Sequence, residues 1–140
     1  MQEYIHFVTN HWSIFTALIL IVIMVIMNEL YIAKKKSNEL SPQAAINLIN
    51  HEHALVIDIR DKNDYNRGHI IDAIHVLKDD LLQKKSNKFK DKKLILVCNR
   101  GISAADLANK LNHSKEFSQI FVLAGGMHAW QNAELPIVTS

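Results

Sequence analysis

An α/β fold with a mainly parallel sheet of four to five strands, preceded by one transmembrane helix, is what this 140-residue sequence predicts. Three observations predict it. Apolar runs of strand length alternate with helical patterns over about the last hundred residues, as βαβ units do. The clearest run, KLILVC (93–98), has no polar alternation, as expected of a strand covered by helices on both faces. And Trp12 to Asn28 carries no charge, with the apolar character resuming at Leu30–Ala33 after Glu29.

In chain order, a helix over 12–33 is roughly 30 Å long at about 1.5 Å per residue, the thickness of a hydrocarbon core. Trp12 and Tyr31 near its ends suit the membrane interface. Residues 34–40 form a short basic linker. Ser41-Pro42 reads as a helix cap and first helical position, opening a helix through about Asn50. ALVIDIR (54–60) is a strand, and DKNDYNRGHI (61–70) a loop with a helical turn. AIHV (73–76) is a short strand and DDLLQKKSNKF (79–89) an amphipathic helix. After the strand at 93–98 comes SAADLANKLNH (103–113), a helix with Ala104, Leu107, Ala108 and Leu111 on one side. QIFVLAGG (119–126) is a buried strand closed by two glycines, and MHAWQNA (127–133) a short last helix.

Charge sets the expected orientation. All sixteen Lys and Arg residues follow the apolar run, beginning with Lys34-Lys35-Lys36. The positive-inside rule then puts residues 34–140 in the cytoplasm, with residues 1–11 as a short extracytoplasmic segment. A basic n-region and a small-residue cleavage site, the marks of a removable signal, are not visible, so the reading is an uncleaved anchor in the inner membrane. Residues 34–140 hold sixteen basic against twelve acidic side chains. That mild excess, without aromatic residues interleaved for stacking, argues against nucleic-acid binding. A single cysteine excludes an intramolecular disulfide and fits a reducing compartment. The eight histidines lack the spacing of a zinc site.

That cysteine, Cys98, stands where the strand at 93–98 ends. In parallel α/β sheets ligands bind beyond the carboxyl ends of the strands. Asn99, Arg100, Gly101 and Ile102 must turn sharply to enter the helix at Ser103. Such a turn aims successive backbone N–H groups into one concavity, and the helix N-terminus adds partial positive charge. Fields of this kind favour thiolate, the nucleophilic form of cysteine. The expected chemistry is a sulfur nucleophile whose attached anionic group is held by backbone donors.

Residues 54–138 resemble the rhodanese-like family of single-domain sulfurtransferases. LVIDIR resembles the family's first-strand D-x-R signature. Asp64, Tyr65, Gly68, His69 and Ile70 match its acidic–aromatic–x–x–G-H-I motif. CNRGIS (98–103) stands in place of the six-residue loop C-x-x-G-x-R/S/T, and LAGGMHAW (123–130) resembles the G-G…W ending before L-P. The anchor before one such domain, 41–140, resembles membrane-tethered bacterial members. The resemblance implies that Cys98 takes sulfane sulfur from thiosulfate or a persulfide donor. The resulting persulfide is cradled by Asn99, Arg100, Gly101, Ile102 and Ser103. With no second cysteine, sulfur passes to an external small or protein thiol, or another nucleophile. It implies no metal and no organic cofactor. Ile71 and Asp72 replace a frequent Pro-Gly, and Ser103 replaces a frequent Arg, leaving Arg100 as the nearest cation in sequence.

Two other classes fit these residues less well. A non-catalytic, membrane-tethered binding module of the same family typically lacks the loop cysteine, which is present here. Phosphatases of the related fold need an arginine six places after the cysteine, and Ala104 holds that place. Asp58 and Arg60 read as a structural polar pair, His69 as a hydrogen-bonded structural residue, His128 as exposed and Trp130 as a core aromatic. His51 and His53, flanking one residue at a helix end, read as incidental.

Overall fold

The computed structural model describes Met1 and residues 11–36, 38–83 and 87–140. Its contacts group into two units, Met1–Ser37 and Asn38–Ser140. Most of the expected extracytoplasmic segment (2–10) and residues 84–86 of the expected 79–89 helix lie outside the described residues.

In the first unit, α1 (Trp12–Lys36) is one uninterrupted helix. Its segment Trp12–Ala33 is long and apolar enough to cross a membrane. The Thr16 hydroxyl donates to the Ser13 carbonyl at 2.9 Å, so this polar side chain is satisfied within the helix. The basic run 34–36, expected as linker, continues the helix, in keeping with the good helix propensity of lysine.

The second unit contains β1 (Glu39–Leu40), α2 (Pro42–Glu52), β2 (Leu55–Asp58), α3 (Lys62–Arg67), β3 (His69–Ile70), β4 (Ile74–His75) and α4 (Lys78–Leu82). A 3-10 turn (Asn87–Phe89), β5 (Lys93–Val97), α5 (Ile102–Ser114), β6 (Gln119–Leu123), α6 (Gly126–Asn132) and β7 (Ile137–Val138) complete it. Five strands form a wholly parallel sheet in the order β1-β6-β5-β2-β4. β3 and β7 make a separate antiparallel pair. The expected strand count and parallel layout are met. Three elements differ. Among the described residues of the 79–89 stretch there are α4 and the 3-10 turn, with Leu81 and Phe89 anchoring them in the core. Residues 61–70 hold the expected helical turn as α3, which Asp61 caps by accepting from the Asp64 N–H at 2.8 Å, but the segment then ends in a strand, β3, rather than in loop. Glu39–Leu40, inside the expected linker, adds an edge strand: the Val122 N–H donates to the Asn38 carbonyl and the Ala124 N–H to the Leu40 carbonyl, both at 2.8 Å.

Ser41 caps α2 as its sequence predicts, its Oγ accepting from the Ala44 N–H at 3.2 Å. The sheet separates two apolar layers, and β5 feeds both. Leu94, Leu96 and Cys98 pack with Ala104, Leu107, Ala108 and Leu111 of α5. Ile95 and Val97 face the other layer, with Met127 and Trp130 of α6. Alternate residues of a strand point to opposite faces, so the absence of polar alternation in 93–98 reflects two covered faces. In register, Asp58 of β2 pairs with Val97 of β5, and Leu96 with Val122 of β6. Three central strands thus end at one level, directly beneath the 98–103 loop.

Candidate active site

Cys98 leaves β5 with 6% of its surface exposed, buried among apolar neighbours except toward the loop. The Gly101 N–H donates to its Sγ at 3.0 Å. A backbone donor on the sulfur stabilises negative charge there. Gly101 reaches this position with φ +89°, and a Cβ on it would lie 3.1 Å from the Gly125 nitrogen and 3.2 Å from the Leu123 oxygen. Both the left-handed conformation and the close approach require glycine. Gly101 also caps α5, accepting from the Ala105 N–H at 3.0 Å.

The loop is fixed from its other side by α6. The Met127 N–H donates to the Cys98 carbonyl at 2.8 Å, and the His128 N–H to the Asn99 carbonyl at 3.1 Å. Two free donors at a helix N-terminus therefore hold the first two carbonyls of the loop. Gly126 permits this contact. A Cβ there would sit 2.1 Å from the Cys98 carbonyl oxygen and 2.8 Å from the Arg100 nitrogen. Sequence reasoning read Gly125 and Gly126 only as closing a strand and missed this role. The available signal was a glycine pair ending the strand that neighbours the Cys98 strand, where backbone approaches backbone.

An open cleft of about 610 Å³ lies over the sulfur, lined by Cys98, Asn99, Arg100, Ile102 and Ser103. Five of the six expected site residues thus share one concavity, while Gly101 contacts the sulfur from the loop backbone. The wall adds Asp61, Asp64 and Lys78, which sequence reasoning did not select. The Asn99 amide Nδ2 donates to Asp64 Oδ2 at 3.1 Å, tying the loop to α3. Arg100 and Ser103 are exposed, and Ile102 stands at the rim with 76% of its surface open.

Asp58 and Arg60 form the expected pair, buried beside the cleft. The Arg60 Nη2 donates to Asp58 Oδ2 at 2.7 Å and to the Gly68 carbonyl at 2.7 Å, while Nε donates to both carboxylate oxygens. The pair ties β2 to the G-H-I segment. His69 is buried, its ring stacked on Tyr65 at 3.8 Å with Nδ1 2.9 Å from the Tyr65 carbonyl oxygen. The Tyr65 hydroxyl donates to the Ala73 carbonyl at 2.7 Å, so residues 70–73 keep an anchored turn without the frequent Pro-Gly. Trp130 is buried, donating to the Pro136 carbonyl at 3.1 Å, and His128 is exposed. Among the described residues no three His, Cys, Asp or Glu side chains converge as metal ligands would.

Residues 41–133 match the family described as Rhodanese-like domain. This chain is a member of that family. The rhodanese-like chain is 33% identical to the uncharacterized protein YibN of Escherichia coli K12 over 143 aligned positions, 99% of this chain and 98% of that protein. It is 30% identical to the thiosulfate sulfurtransferase GlpE of Actinobacillus pleuropneumoniae over 102 positions, 73% of this chain and 94% of that one. Its fold is shared with a rhodanese-related protein of Thermoplasma volcanium at a TM-score of 0.65 and 21% identity. That likeness covers 74% of this chain and 99% of the other.

Proposed function

We propose that this rhodanese-like chain is a membrane-anchored sulfurtransferase that carries sulfane sulfur on Cys98. The observation that carries the reading is the Gly101 N–H at 3.0 Å from the Cys98 sulfur, at an open cleft. The similarity to a thiosulfate sulfurtransferase supports the class of reaction.

In the loading step the Cys98 thiolate attacks the outer sulfur of thiosulfate or of a persulfide donor. A bond forms from Sγ to that sulfur as the donor's S–S bond breaks, and its electron pair leaves with sulfite or the donor thiolate. The protein's part is positional and electrostatic. Carbonyls held by α6 fix the loop, and the Gly101 N–H stabilises charge on the sulfur it meets. Asn99, Arg100, Gly101, Ile102 and Ser103 bind the transferred group. An external thiol or other nucleophile then removes the sulfur and restores the thiolate.

We place the domain on the cytoplasmic side of the inner membrane, held by α1. Its length and apolar composition, together with the basic residues that follow it, support this placement.

Intact mass after exposure to thiosulfate tests the reading. The wild-type chain is expected to gain one sulfur atom, reversibly by cyanide or thiols. Cys98→Ser should gain none while keeping its unfolding transition, since a serine hydroxyl is not ionised near neutral pH. Sulfur uptake by the serine variant overturns the assignment.

A further inference from the structure

A second cleft, of about 390 Å³, shares the Asn99–Arg100 segment with the first. Arg60, Asp64, Asn99 and Arg100 line both clefts, but Cys98 lines only the first. Arg67, His128 and Gln131 belong to the second cleft alone.

The charges of this second cleft do not cancel. Arg60 is committed to Asp58 and to the Gly68 carbonyl. Asp64 is the only carboxylate among the described residues of the wall, and Asn99 already donates to it at 3.1 Å. Arg67 reaches Asp64 only loosely, at 3.6 Å, with 78% of its side chain exposed. Arg100 makes no ion pair among the described residues. The His128 ring holds Nδ1 at 3.3 Å from the Asn132 amide nitrogen, an arrangement in which Nδ1 accepts and Nε2 remains a donor. Two guanidinium groups, an imidazole and the Gln131 amide thus face a single carboxylate that is already engaged. The first cleft is balanced by comparison, with Asp61 and Asp64 against Lys78 and Arg100 beside the Arg60–Asp58 pair.

The sulfonate of thiosulfate is bonded directly to the sulfur being transferred, and Cys98 lines only the first cleft. An anion in the second cleft therefore suits a longer molecule, whose charge stands several bonds from the sulfur that meets Cys98. We infer that the second cleft binds the carboxylate of a small organic acceptor thiol, one with its carboxylate several bonds from its sulfur. The inference rests on the sulfurtransferase reading and names its acceptor class. The step balances: the acceptor thiolate attacks the outer sulfur of the Cys98 hydropersulfide, forming the acceptor's S–S bond. The bond to Sγ breaks, its electron pair stays on Cys98 as thiolate, and the outer sulfur keeps its proton in the product persulfide.

The test uses the full chain in detergent, loaded with sulfur from thiosulfate and freed of excess donor. Discharge is followed by intact mass with 3-mercaptopropionate and with uncharged 2-mercaptoethanol, and the ratio of the two rates is compared between proteins. The intrinsic difference between the thiols cancels in that comparison. Arg67→Gln is expected to lower the ratio about two- to fivefold, as an exposed charge contact should, and added salt should lower it in the wild type. An unchanged ratio in both Arg67→Gln and His128→Gln overturns the inference. Binding of 3-mercaptopropionate to Cys98→Ser, followed by NMR shifts at His128 and Gln131, reads the site without catalysis. Saturable, salt-sensitive shifts support it, and their absence overturns it. If the wild type never loads sulfur but these shifts appear, the transfer reading fails and the anion site stands.

Discussion

Replacing Gly126 by alanine tests whether the start of α6 shapes the sulfur-binding loop. The added Cβ would lie 2.1 Å from the Cys98 carbonyl oxygen, 2.7 Å from the Asn99 carbonyl carbon and 2.8 Å from the Arg100 nitrogen. All three are backbone atoms, so no side chain can rotate away. A carbon–oxygen contact rests comfortably at about 3.3 Å, and the carbonyl must therefore retreat by about 1 Å. That retreat weakens the bonds from the Met127 and His128 N–H groups, which hold the loop at 2.8 and 3.1 Å. Alanine is also strained at the φ of +58° found here, by about 1–2 kcal/mol. Overpacking adds about 1–3 kcal/mol.

The sum, about 2–5 kcal/mol, is a large part of a domain stability of about 5–15 kcal/mol. Denaturant unfolding should register that loss. Misplacement of reacting groups by about 1 Å can cost about a hundredfold in rate, so sulfur loading should slow by that order in the folded fraction. Gly68→Ala is the contrast. Its Cβ would meet only the Ile137 side chain, closest at the flexible Cδ1 end at 2.9 Å, and its φ of 165° is extended. Loading there should stay within about twofold, with stability changed by about 1 kcal/mol or less. Wild-type loading by folded Gly126→Ala would refute the claim that α6 fixes the loop.

Arg60→Leu strands the Asp58 carboxylate, only 1% exposed, and should cost about 3–5 kcal/mol in denaturant unfolding; a loss under 1 kcal/mol would mean the pair is expendable. Arg100→Ala should raise the KM for thiosulfate about two- to fivefold in low salt and much less in high salt, because its side chain is exposed rather than shielded. Transfer from an uncharged persulfide donor should change less, and equal losses would assign Arg100 to loop support. Residues 38–140, produced alone, should fold and stay monodisperse without detergent, as their separate contact grouping suggests; aggregation would show that α1 completes the domain. A reporter fused after Ser140 should behave as cytoplasmic, and activity of a strictly extracytoplasmic reporter would reverse the orientation.

The sheet was legible in the sequence because a buried parallel strand leaves a strong local mark. In 93–98 every position is apolar or ends the strand, and the structure explains this by a helix layer on each face. Cap chemistry was equally local: Ser41-Pro42 opened α2 at the predicted residue. Elements that depend on distant partners were not legible. Glu39–Leu40 has no strand pattern and becomes one only because β6 offers an edge. Ile137–Val138 likewise pairs with His69–Ile70, some seventy residues earlier. In the 79–89 stretch the spacing of Leu81 and Phe89 suited one long helix, yet both side chains reach the core from two short pieces.

The same division runs through the site. Cys98 and its loop were found from a strand end followed by a turn, a signal contained in six consecutive residues. What holds the loop came from elsewhere in the chain, from Gly126, Asp64 and the N-terminus of α6, and spacing alone could not bring these together. The register does so, because Val97 and Leu123 end neighbouring strands at nearly one level, and each next segment must turn over the same edge. Side chains do not fit where two such turns cross, which is why Gly101 and Gly126 meet there. The donor on sulfur is therefore a product of the sheet's register as much as of the loop's own sequence. It follows that changes on β6 or α6, remote in sequence from Cys98, should affect sulfur loading more than equally exposed changes along α5 beyond its first turn.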